Sequence, residues 1–182
     1  MGAATIFVML SLIMENYVVT ANQHLVVFGV GSYMVFSSYF LVHFYLCKLS
    51  SSYKLVPEGK QFYVLSNLIK SGVLLAYCPL AVDVLWKTIV LDQWPNQRIR
   101  NLGCMYAIPD FVSLLLVRRM GWTTIIHHVC VLVFNFISVY NDYGEDNVCR
   151  LIVVYAVFST FAYLVNLLQV LSRVTAVVLE EH

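Results

Sequence analysis

Long apolar stretches broken by short polar runs organise this chain. Five of them are long enough, or nearly so, to cross a bilayer, which takes about 20 residues of helix. They fall near residues 25–47, 62–86, 102–117, 123–140 and 151–172, the third and fourth being short. A further apolar stretch at 3–14 is too short to span and ends in the polar pair Glu15-Asn16. It is expected to be interfacial or re-entrant. A backbone in lipid must satisfy its own polar groups, so the spans are expected to be helices. The pattern predicts an all-α integral membrane protein, a polytopic bundle of about five transmembrane helices behind a short N-terminal apolar segment. Residues 1–24 form that segment and 25–182 a single transmembrane domain.

Composition agrees. The 182 residues are 60% hydrophobic and 12% charged, with a mean hydropathy of +0.79. A soluble domain is usually about 25% charged. The formal net charge of +1 gives no reason to expect nucleic acid as a partner. The five cysteines fit no disulfide or zinc framework and read as small packing residues.

Loop charge sets an orientation. The 48–61 loop carries Lys48, Lys54 and Lys60 against Glu58, and the 118–122 link carries Arg118-Arg119. The 141–149 loop carries Asp142, Glu145 and Asp146. Positive loops stay cytosolic, so the first two are expected inside and the third outside. The 87–102 loop then lies outside despite Lys87, Arg98 and Arg100.

The spans are dotted with polar residues at helical spacing. Ser66, Asn67, Lys70 and Ser71 share a face of the second, and Tyr106, Asp110 and Ser113 a face of the third. The fourth holds His127-His128, with Thr124, His128 and Asn135 in one arc; the fifth holds Tyr155, Ser159 and Asn166. At about 1.5 Å per residue, Lys70, Asp110 and His128 lie roughly 8–12 Å inside the basic end of their spans. Ionisable groups at that depth are costly and usually functional. Convergence from four spans predicts a polar cavity opening to the cytosol. Ser66, Asn135 and Asn166 are better explained by helix–helix hydrogen bonds, and Lys70 with Asp110 equally well by an ion pair that fixes register. His43, alone on the first span, reads as a packed bundle residue. No metal is expected. Adjacent helical histidines point in different directions, and no third ligand stands at a fixed spacing from them.

The order of these features resembles the TLC-domain family, multispan relatives of the translocation-associated membrane protein, the ceramide synthases and the ceroid-lipofuscinosis lipid regulator. The likeness runs over residues 62–172. Its parts are LeuSerAsnLeuIleLysSerGly at 65–72, TyrAlaIleProAspPhe at 106–111, IleIleHisHisVal at 125–129 after a short basic link, and Arg150-Leu151 leading to Ser159-Thr160. The paired histidine is the most specific of them. The acid-rich signature that ceramide synthases carry on the following span is missing, since 151–172 contains no acid and no histidine. The chain therefore resembles the short TLC-domain proteins more than the acyltransferases.

The resemblance implies a role in sphingolipid or phospholipid homeostasis, binding or sensing lipid in an intramembrane cavity of the endoplasmic reticulum, with the plasma membrane as the other location. As an enzyme it would acylate an amine such as a sphingoid base, with acyl-CoA as co-substrate and no certain cofactor. His127, His128 and Asp110 would then be catalytic, His128 as general base or transient acyl carrier and Asp110 orienting it. Asn67, Lys70, Ser159, Asn166, Arg118 and Arg119 are the candidate lipid- or CoA-binding residues. A translocation or transport helper is a third reading. Membrane lipids are the expected partners, with a second copy or another membrane protein also compatible.

Overall fold

The computed structural model describes residues 23–161 and, before them, only Thr5, Met9, Leu12, Ile13, Met14 and Asn16. Most of the 3–14 segment, residues 162–172 of the fifth predicted span, and Asn166 therefore lie outside the described residues. Among the described residues there is no strand. The helices are α1 (His24–Leu49), the single turn α2 (Ser51–Lys54), α3 (Glu58–Leu85), α4 (Asn96–Leu116) and α5 (Trp122–Tyr140), followed by α6 (Val148–Phe161). A π-helical turn, Trp86–Val90, extends α3. Four of these, counting α3 with its extension, are long and apolar enough to cross a membrane. The chain is a multispan, all-helical membrane protein.

The third span is longer than its apolar stretch. Hydropathy starts it near residue 102, whereas α4 begins at Asn96 and has 21 residues. Its first turns are polar, yet Asn101 is completely buried. Packing against neighbours, which hydropathy does not see, carries the helix on. The extra turns bring α4 closer to the length a bilayer needs.

α4 is the centre of the bundle. Eleven of its residues are buried, from Ile99 to Ser113, and it packs on α1, α3 and α5. α1 buries only Tyr39 of its 26 residues, so most of its surface is left for lipid. Lipid is as apolar as leucine, so helices associate here through close packing and hydrogen bonds rather than through expulsion of water. Gly31 is one point of close approach: a Cβ there would lie 2.5 Å from Ile108 Cδ1 on α4.

Two apolar clusters divide the interior. Tyr39, Leu65, Ile108 and Val112 join α1, α3 and α4. Tyr77, Leu80, Ala81, Val84, Leu102, Met105 and Val157 join α3, α4 and α6. Pro109 sits inside α4 just before Asp110. It has no N–H to donate, so the carbonyl one turn earlier loses its helical partner.

The two ends of the bundle differ. At the basic end, α3 starts beside the Arg118-Arg119 link, because a Cβ on Gly59 would lie 3.6 Å from the Arg119 guanidinium. At the opposite end, the loop after α5 is tied to the start of α4. Asn96 donates to Asp142 (2.7 Å) and accepts from the Tyr143 N–H (2.6 Å). Arg100 donates to the Asn141 carbonyl, and Arg150 donates to the carbonyls of Tyr143 and Gly144 and pairs with Asp146. The basic residues that look out of place at this end have partners: Lys87 and Arg98 both close on Asp83, at 3.0 and 2.8 Å. The loop-charge rule counts lysines and arginines rather than net charge, so these residues still run against it.

Candidate functional site

Asp110, Lys70 and His128 meet although they lie on three different helices. Lys70 Nζ donates to Asp110 Oδ1 at 2.5 Å. His128 Nδ1 lies 2.8 Å from the same oxygen, outside hydrogen-bond geometry. Lys70, Asp110 and His128 are 2%, 0% and 5% exposed. Such burial is tolerable because each charge faces its opposite. The second carboxylate oxygen, Oδ2, is buried without a hydrogen-bond partner.

A hydroxyl chain supports the cluster on one side. Ser113 lies one turn after Asp110 and donates to the Pro109 carbonyl (2.7 Å). Its hydroxyl also meets Ser66 Oγ at 2.6 Å and Tyr39 OH at 3.1 Å. Those contacts join α1, α3 and α4 directly beside the ion pair. On the other side Tyr106 OH meets Ser159 Oγ at 2.7 Å, linking α4 to α6.

The two histidines have different surroundings. Their ring centroids are 5.7 Å apart. The roughly 100° turn between adjacent helical residues places His128 inside, against Asp110, and leaves His127 exposed. His127 borders two cavities. One, of about 290 Å³, is polar and lies between α3 and α5, with Ser66, Asn67, Lys70, Thr124 and His128 also on its wall. The other is a narrow apolar cleft of about 90 Å³ between α4, α5 and α6, running from His127 and Tyr106 to Ser138 and Tyr143.

The fold thus gathers most of the residues expected from sequence. Lys70, Asp110 and His128 form the cluster, and Asn67 and His127 line the polar cavity. Asn67 bonds within its own helix, to the Tyr63 carbonyl (3.2 Å). Ser159 stands on Tyr106. Arg118 and Arg119 are exposed on the link at the basic end. His43 is engaged elsewhere, at 2.9 Å from Tyr53 OH. The apolar cleft had no signal in the sequence, because Tyr77, Leu102, Val131 and Val157 are ordinary apolar residues of ordinary spans.

The fold also supplies the third metal-type donor that sequence spacing lacked. Asp110, His127 and His128 place one ligand atom each within 4.8 Å of one another. The Lys70 ammonium already bonds the Asp110 carboxylate, and a divalent cation there would face it at like charge. The cluster is balanced by lysine.

No family model matches the chain, and neither curated proteins nor solved structures gave a match.

Proposed function

We propose that this membrane protein binds an amphipathic lipid, its polar group in the cavity between α3 and α5 and its chain in the cleft between α4, α5 and α6, and that it serves lipid homeostasis as a member of the TLC-domain kind in the endoplasmic reticulum. One observation carries the reading: His127 stands on the walls of both cavities, where polar and apolar surroundings meet. A mostly apolar pocket with a few convergent polar groups is the usual form of a small-molecule site. The Lys70 ammonium and the His127 imidazole supply polar contacts for a headgroup. The narrowness of the cleft suits a flexible chain better than a fused ring system.

The test is lipid extraction and mass spectrometry of the purified full chain. A defined lipid class should copurify near stoichiometry with wild type and be depleted in His127→Leu. A purified protein carrying only the bulk lipid mixture, unchanged by that substitution, contradicts the reading.

A second reading has its own support. Asp110 stands 2.8 Å from the His128 ring, and a carboxylate beside an imidazole suits general-base work. In acyl transfer from acyl-CoA, an amine would attack the thioester carbonyl, its proton would pass to the imidazole, and the CoA thiol would leave carrying a proton. Labelled acyl-CoA offered with a panel of sphingoid bases separates the two readings. Turnover that is lost in His128→Ala supports catalysis, and lipid retention without turnover supports binding alone.

A further inference from the structure

The polar cavity between α3 and α5 is one-sided in charge. Its wall carries Lys70 and no acid. Lys70 shares its charge with Asp110, which is not on that wall. The unshared cations stand at the mouth. Arg118 and Arg119 are exposed, and among the described residues neither makes an ion pair. Glu58, the one acid of the 48–61 loop, pairs with neither of them. Arg119 packs beside the start of α3, since a Cβ on Gly59 would lie 3.6 Å from its Cζ. Gly59 precedes Tyr63 by one turn of α3, and Met120 follows Arg119 directly. Tyr63 and Met120 both line the cavity, so the Arg119 guanidinium is held at its rim.

Phosphate chemistry fits such a mouth. A guanidinium meets phosphate oxygens with a fork of N–H donors. α5 also begins here: Thr123 and Thr124 are on the wall, and Gly121 gives the helix no side-chain cap. The positive end of the helix dipole therefore lies at the same place. A choline group finds less to hold it. Quaternary ammonium is commonly held in a cage of aromatic rings, whereas Tyr63 is the only Phe, Tyr or Trp on this wall. We infer that the polar cavity selects a lipid with an anionic phosphomonoester headgroup over a zwitterionic one, and that Arg118 and Arg119 are the residues that make the choice. The phosphate sits at the arginine rim, and the chain runs inward past His127 into the apolar cleft. The inference rests on the lipid-binding reading and names its headgroup.

The probes are oleoyl lysophosphatidic acid and oleoyl lysophosphatidylcholine, which share one chain and differ in the headgroup. They compete for the purified full chain in native mass spectrometry. Charge-assisted hydrogen bonds to the phosphate predict a preference of about tenfold for lysophosphatidic acid in wild type. The double variant Arg118→Gln/Arg119→Gln changes only exposed side chains. It should keep its binding of lysophosphatidylcholine and lose most of the preference. Equal binding of the two lipids by wild type, or a preference that survives in the double variant, overturns the inference while leaving lipid binding in place. Loss of both lipids alike in the double variant also overturns it, because the arginines would then support the site without choosing the headgroup. Inorganic phosphate that displaces lysophosphatidic acid as well as the unlabelled lipid does would show a site for the free anion, and overturns the lipid source. Failure of wild type to bind either lipid overturns both this inference and the lipid-binding reading.

Discussion

The two neighbouring histidines live in opposite worlds. His128 is packed against a carboxylate that also carries an ammonium, in a region where every charge has its opposite. His127, one residue away, is exposed between a polar cavity and an apolar cleft. The first is closed on an ion pair and meets only the polar cavity, whereas the second opens on both cavities. On this geometry His128 holds its position for the sake of the cluster, and His127 is the residue of the pair placed to touch what binds.

The largest expected effect lies in the closed region. Asp110→Ala strips Lys70 of its buried counter-charge, and breaking such a pair costs about 3–5 kcal/mol. Thermal unfolding in detergent should show a large loss. The double variant Asp110→Leu/Lys70→Met removes both charges together and should recover most of it, because a buried pair replaced by apolar groups is often neutral. A double variant as unstable as the single one would mean that the cluster stabilises by something other than charge balance.

Next in size is the hydroxyl chain. Ser113→Ala leaves Ser66 and Tyr39 without their shared partner, at a cost of about 1–3 kcal/mol. A change near zero in the same unfolding assay would show that those hydroxyls find other partners. On the open side, His127→Ala should move stability by no more than about 0.5 kcal/mol while depleting bound lipid. A large destabilisation there would erase the contrast between the two histidines.

The smallest effect belongs to the far end. The Asn96 side chain, with the Gly144 N–H, holds the exposed Asp142 carboxyl below its usual range. A lowered folded-state value favours the fold above the unfolded pKa, and the contribution is lost as pH falls through the folded one. Asn96→Ala should move the Asp142 titration upward, readable by NMR of labelled aspartate, with little change in melting near neutral pH. An unmoved titration would mean that the amide does not set it.

The spans and the polar depth were legible in the sequence because both are local. Hydropathy finds α1, α3 and α5 nearly to their ends, and helical spacing puts Lys70 and Asp110 on inward faces. The early start of α4 was not legible, because Asn96 to Asn101 are, Ile99 apart, polar residues made helical by packing. The meeting of His128 with Asp110 was expected through the family resemblance, but the place of His127 between two cavities was not legible. The spacing of the two histidines says only that they diverge by about 100°, and which of them meets Asp110 depends on how α5 is rotated against α4. The apolar cleft was invisible for a related reason: a gap between helices is a property of their packing, and its lining residues look like any others. Asn135 reads in sequence as an interhelical hydrogen-bonding residue, and in the fold its carbonyl has no such bond.

Lipid bound at His127 would reach from the polar cavity into the apolar cleft. A photoactivatable, clickable lipid added to the purified protein tests it most directly, with the labelled residues mapped by mass spectrometry. Labelling should concentrate on α5 between His127 and Ser138 and on the facing part of α6 near Ile152 and Ala156, with much of it removed by competing unlabelled lipid. Labelling spread over the exposed face of α1, around Leu25, Tyr33 and Phe40, and unaffected by competitor, would contradict it.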